Sequence, residues 1–160
     1  MMDRSLDSLS RAFYPLACQW IARVTARGVA VMVVQTGRTV AEHEANLAAK
    51  TSGTTLSLHL PRSLRWPATA EALRPEDADK SDAMDLAPYE EYQRAGPDKL
   101  HWNALAREFG VIAEEAERVG LRSGARWLKP FDPGHAELVL PWKHARLAEE
   151  LTRPWPAFSA

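Results

Sequence analysis

Three side chains in this 160-residue chain are of the types that a catalytic metal site uses: His59, Asp85 and His135. Each stands beside a short apolar run, where strand-end ligands usually sit. Two imidazoles and one carboxylate can hold zinc and leave a fourth position open, which is what separates a catalytic site from a structural one. Zinc brings the pKa of a bound water down to about 7, and a nearby carboxylate can take that proton and pass it to a leaving amine. Asp132, three residues before His135 in an Asp-Pro-Gly turn, can reach the same metal from outside its ligand shell. On local sequence alone it reads equally well as a turn former. Arg38 supplies a permanent positive charge for a developing oxyanion or a substrate carboxylate. It lies near a helix N-terminus, where a cation is electrostatically disfavoured, and that mismatch favours a functional reason for it.

The remaining composition narrows the class. Of the residues, 46% are hydrophobic and 26% charged, the balance of one ordinary globular domain. Twenty basic against twenty-one acidic side chains give a net charge of -1, which argues against a nucleic-acid partner. The lone Cys18 excludes a disulfide framework and any cysteine-rich zinc cluster. The longest apolar run, 29–34, is far short of the roughly 20 residues a membrane span needs. The first residues lead into an amphipathic stretch and not into a signal core, so the expectation is a chain that stays where it is made, in the cytoplasm.

Elements that could position the site follow from periodicity. A short turn at about 5–12 precedes a helix that opens at Pro15 and stops at Gly28. Residues 29–34 read as a strand buried on both faces. Thr39 with Glu42 forms a capping box for a second helix. A polar loop at 51–55 and a strand at 54–60 come next. Residues 61–79, with Pro61, Pro67 and Pro75, read as a surface insertion that borders the site, since its ends lie near His59 and Asp85, pinned by Trp66 and Leu64 or using Trp66 to cover a groove. A strand at 83–87 is ended by Pro88. Trp102, Leu105, Phe109, Ile112, Ala116 and Val119 mark the apolar stripe of a long helix stopped by Gly120. A strand at 136–140 and a helix at 142–151 close the chain. The expected class is α+β: a small antiparallel sheet flanked by helices, in one domain over 1–160 with the insertion at 61–79.

The motif context resembles a known family. Gln35-Thr36-Gly37-Arg38-Thr39, Ser57-Leu58-His59, Ser81-Asp82-Ala83-Met84-Asp85-Leu86 and Asp132-Pro133-Gly134-His135 stand in the order found in the LAS-type zinc metallopeptidases. These are the endolysin and VanY-like peptidoglycan peptidases, with a G-x-R-T, an S-x-H-x-x-G-x-A-x-D and a later [DE]-x-x-H. The resemblance runs from the first helix to about Leu140. It implies His59, Asp85 and His135 as ligands of Zn2+, Asp132 as the catalytic acid/base, and Arg38 and Ser57 as substrate-facing residues, Arg38 also serving catalysis. Glu137 falls where such enzymes often carry an acidic residue. The departure lies between His59 and Asp85: they stand 26 positions apart where the pattern has seven, an excess of 19, and Ser81 replaces the pattern's glycine. Asp82 is the alternative ligand, but the Ala-x-Asp ending favours Asp85.

What the resemblance implies is a zinc-dependent hydrolase of the bacterial peptidoglycan stem peptide, with a hedgehog/DD-peptidase-like fold. The expected bond is L-alanyl-D-glutamate. An aspartate as acid/base and Gly134 in place of the tryptophan of an E-P-W-H motif tilt away from the D-alanyl-D-alanine carboxypeptidase branch. The setting expected is a monomeric phage-type endolysin, released from the host cytoplasm by a holin, with no stable membrane insertion. The rival is a non-catalytic wall-binding or virion module of the same fold. His43, His101 and His144 read as structural or solvent-facing. Trp127 reads as a cleft wall or as packing.

Overall fold

A computed structural model describes residues 2–51, 54, 56–90 and 99–159. Four strands form one sheet in the order β1-β2-β4-β3, every pair antiparallel: β1 is Val31–Gln35, β2 Ala83–Pro88, β3 Arg122–Ser123 and β4 His135–Glu137. Among the described residues, four α-helices accompany it: α1 Tyr14–Ala26, α2 Val40–Ala48, α3 Arg107–Arg118 and α4 Leu147–Leu151. The α+β class with a small antiparallel sheet is what the sequence led us to expect.

Alternation along β2 and β4 divides the sheet into two faces. Met84, Leu86 and Ala136, all at most 1% exposed, point into the main core with Phe13, Trp20, Phe109 and Ile112. Their helices are also tied together by polar contacts. The Trp20 indole Nε1–H donates to the Ile112 carbonyl at 2.8 Å, joining α1 to α3. The opposite face carries Asp85, His135 and Glu137 beside a smaller cluster of Leu58, Ala83 and Leu140. Gln35, Asp85 and His135 sit in one row across three strands, with a register break between Val33 and Gln35.

Several expectations are corrected. The first strand begins at Val31, is an edge strand and is mostly half-buried, so it is not enclosed on both faces. The described residues of 54–60 form turns, not a strand, because Ser57 and Leu58 fold the chain back at His59; Ser52, Gly53 and Thr55 of the expected polar loop lie outside the described residues. The long helix starts only at Arg107, leaving Trp102 58% and Leu105 47% exposed. The last strand and helix are shorter than expected, and the two-residue β3 went unforeseen.

Residues 61–79 are tied to the body by charge. Arg62 and Arg65 are buried, and both donate to the Asp82 carboxylate, Arg62 at 2.7 and 2.8 Å and Arg65 at 2.7 Å. Ser10 Oγ also donates to Asp82, and Arg62 reaches Asp77 at 3.3 Å. Trp66 stacks edge-on against Trp142, with ring centroids 5.4 Å apart, beneath the Arg62 guanidinium. Leu64 is 52% exposed and anchors nothing. Among the described residues, no helix is long and apolar enough to cross a membrane.

Candidate metal centre and its cleft

The sheet row brings two of the expected ligands together directly, since Asp85 and His135 are register partners on β2 and β4. His59 arrives from a turn outside the sheet. Ser57 Oγ accepts from the His59 N–H at 3.3 Å, and the His59 carbonyl accepts from the Arg38 N–H at 2.9 Å. These bonds fix the turn, and Asp82 N–H reaching the Leu58 carbonyl fastens it to β2. The 19 extra residues therefore leave from the His59 turn and return beside it at the start of β2, and the ligands meet despite them.

Three atoms converge: His59 Nε2, His135 Nδ1 and Asp85 Oδ1. They lie 3.3 Å (the two imidazole nitrogens), 2.8 Å (His135 to Asp85) and 3.3 Å (His59 to Asp85) apart. Tetrahedral ligands about 2.0–2.1 Å from a zinc ion stand roughly 3.3 Å from one another; the two edges at His59 have that length, and the His135–Asp85 edge is shorter, at hydrogen-bond distance. The far side of each ring is held by an acceptor. His59 Nδ1 lies 2.8 Å from the Thr36 carbonyl, and His135 Nε2 lies 3.2 Å from Glu137 Oε2. That pattern directs the other ring nitrogen at a metal and raises its basicity. The residues present thus fit a metal, and His59, Asp85 and His135 are the group that could hold one.

Electrostatics agree with a site built for positive charge. Burial opposes ionisation of Asp85, but His59 and His135 outweigh it and hold the carboxyl far below its usual range. Burial likewise opposes charge on His135, yet the bonds to Asp85 and Glu137 push it up to about 10. A proton on His135 thus stands where a cation would otherwise be held.

Asp132 sits in the turn before β4, with its carbonyl accepting from the His135 N–H at 3.2 Å. Two glycines allow this turn to pack. A Cβ at Gly134 would lie 2.4 Å from the Leu86 carbonyl, and one at Gly124 would lie 2.3 Å from the Asp132 carbonyl. Burial and the neighbouring Asp85 charge raise the pKa of Asp132 above the ordinary carboxylate value.

The three candidate ligands and Asp132 open onto a cleft of about 810 Å³ that Arg38, Ser57 and Trp127 also line. None of its lining residues comes from 61–79, so the insertion does not border the cleft as expected; Arg62 and Arg65 draw it to Asp82 instead. Arg38 is aimed by Gln35, whose side-chain oxygen accepts from its guanidinium. Trp127 packs against His135, with ring centroids 4.9 Å apart, and carries the Arg122 guanidinium on its own ring. Asp82, the alternative ligand, is fully buried in its arginine cluster.

Two parts of this site are not apparent in the sequence. His144 is not a bystander: its Nε2 lies 2.8 Å from Glu137. Arg122, on the unforeseen β3, pairs with Glu137 and Glu150. The cross-strand pairing of Arg122 with Glu137 carried that signal, but only once β3 is known. His43, expected to face solvent, is buried.

No protein-family model matches the sequence, and no curated protein does. Among solved structures, the chain is similar to the L-Ala D-Glu endopeptidase ChiX of Serratia marcescens. The two share 18% identity and superpose with a TM-score of 0.56 over 87% of this chain and 89% of that one. At that identity the likeness establishes a shared fold.

Proposed function

We propose that the chain is a zinc-dependent peptidase of the bacterial cell wall that cuts the L-alanyl-D-glutamate bond of the peptidoglycan stem peptide, in the manner of a phage endolysin. The observation that carries this reading is the triangle of His59 Nε2, Asp85 Oδ1 and His135 Nδ1 at the floor of an open cleft. It stands in a fold shared with an enzyme named for cleaving that bond.

His59, Asp85 and His135 would hold the metal, which when bound supplies Lewis acidity toward a water and a peptide carbonyl. The chain's own residues do the rest. Asp132, with its raised pKa, takes a proton from the attacking water and returns it to the leaving amine. Arg38 lacks a carboxylate partner among the described residues and so is free to face a substrate carboxylate or a developing oxyanion. Ser57 acts chiefly through the His59 turn that it caps. Trp127 walls the cleft beside His135, and its ring can carry the apolar part of a peptide.

Metal analysis of the purified protein, before and after chelation, tests this reading. One zinc per chain is expected, with hydrolysis of a synthetic stem peptide lost on chelation and restored by added zinc. A protein that cleaves equally well with chelator present would refute it.

A further inference from the structure

Glu137 is 3% exposed and receives more donors than any ordinary strand carboxylate needs. Its Oε2 faces His135 Nε2 at 3.2 Å, while its Oε1 faces His144 Nε2 at 2.8 Å and the Arg122 guanidinium. Arg122 is itself held by Glu150, at 2.7–3.2 Å. The decisive contact is on the other side of the second imidazole. The Leu140 N–H donates to His144 Nδ1 at 2.8 Å. A backbone N–H has no other role to play, so Nδ1 must be the acceptor. His144 Nε2 then carries the hydrogen and donates it to Glu137. Both oxygens of Glu137 are thereby directed: one is fixed by His144 and Arg122, which turns the other toward His135 Nε2.

We infer that His144 is a positioning residue of the metal centre: through Glu137 it fixes which nitrogen of His135 faces the metal. The inference rests on the metal reading above and extends it to a side chain outside the ligand set. The backbone supports the assignment, because residues 138–144 form the turn that brings His144 back onto β4, with the His144 N–H donating to the Leu140 carbonyl at 2.8 Å. The His144 side chain is 3% exposed, so no water competes for Nε2. Partners of metal-bound histidines are known to govern metal affinity over about 10–100-fold.

The test separates the two bonds of His144 and reads zinc affinity together with ring tautomers. His144→Asn retains an acceptor for the Leu140 N–H but cannot reach Glu137. His144→Gln retains a donor for Glu137 and gives up the Leu140 bond. Zinc titration against a competing chelator is expected to show a loss of about 10–100-fold for His144→Asn and a smaller loss for His144→Gln. Thermal melts of the metal-free proteins show whether each variant folds. Nitrogen NMR of the wild-type histidine rings is expected to show His144 protonated at Nε2 and bare at Nδ1. Two results would overturn the proposal: a folded His144→Asn that binds zinc as tightly as wild type, or a His144 ring protonated at Nδ1. A wild-type protein that takes up no zinc would overturn the metal reading itself, and this inference with it.

Discussion

Asp82 and Asp85 stand three residues apart, and both are held by basic partners, yet they do opposite things. Asp82 is fully buried, and both of its oxygens are occupied by donors that cannot give up their protons: two guanidiniums and a hydroxyl. Its charge is finished business, a pin that holds 61–79 and the segment around Ser10 to the sheet. Asp85 keeps 23% of its side chain exposed and faces two imidazole nitrogens, each able to shed a proton and offer a lone pair. The difference teaches that a site is recognised by what its partners can release. Arginine partners close a carboxylate, whereas histidine partners leave it ready to share a cation.

The sharpest way to break this comparison is to remove each carboxylate in turn. Asp82→Ala leaves Arg62 and Arg65 buried without their counter-charge, so a loss of about 3–5 kcal/mol is expected, read as a drop in melting temperature of roughly 10 °C. Replacing 61–79 by a two-residue turn strands Asp82 in the same way and should destabilise the fold similarly. Asp85→Ala should abolish zinc binding while lowering the metal-free melting temperature far less. Calorimetry with metal titration checks all three, and an Asp82→Ala protein that keeps its stability but loses zinc would reverse the assignment.

A second cut separates metal holding from proton transfer. Asp132→Asn should retain zinc and fold while lowering kcat on a stem peptide by about 10²–10⁴-fold. Near wild-type turnover would reduce Asp132 to a turn residue.

The proton on His135 sharpens the comparison further. With the metal-free His135 pushed up to about 10, each zinc bound near neutrality must displace one proton. Zinc affinity should therefore rise about tenfold per pH unit from pH 6 to 9. The metal-free protein should show the opposite trend. A histidine raised above its unfolded value contributes stability that is fully present below about pH 6.5 and is lost as pH climbs toward 10. Competition titrations and melts across that range check both signs, and a zinc affinity independent of pH would contradict the first.

The smallest expected effect lies at Trp66. Its ring meets Trp142 and Arg62 and contributes nothing to the cleft lining, so Trp66→Leu should cost about 1 kcal/mol and leave peptide cleavage unchanged. A fall in kcat/KM would show instead that Trp66 reaches the substrate.

Much of this was legible in the residues themselves. The capping box at Thr39 and Glu42 and the stops at Gly28 and Gly120, both at positive φ, are local devices, and local chemistry reads well in one dimension. The meeting of His59, Asp85 and His135 followed from motif order even across the 19 extra residues. What stayed hidden depends on register and burial. Residues 54–60 read as a strand, but Ser57 to Leu60 are a turn whose burial comes from packing against the sheet, and no local pattern records that. The charges of 61–79 suggested a solvated surface, yet Arg62 and Arg65 find their carboxylate only after β2 is in place. His144 acquires a role only once the 138–144 turn sets it against Glu137, and no spacing along the chain records that contact.

The most direct test of the central claim is to digest purified peptidoglycan with the zinc-loaded protein and to identify the new termini by mass spectrometry. Cleavage of the L-alanyl-D-glutamate bond is expected, exposing alanine carboxyl termini and glutamate amino termini, with none formed by His135→Ala. New termini only at D-alanine, or no new termini from the zinc-loaded wild type, would contradict it.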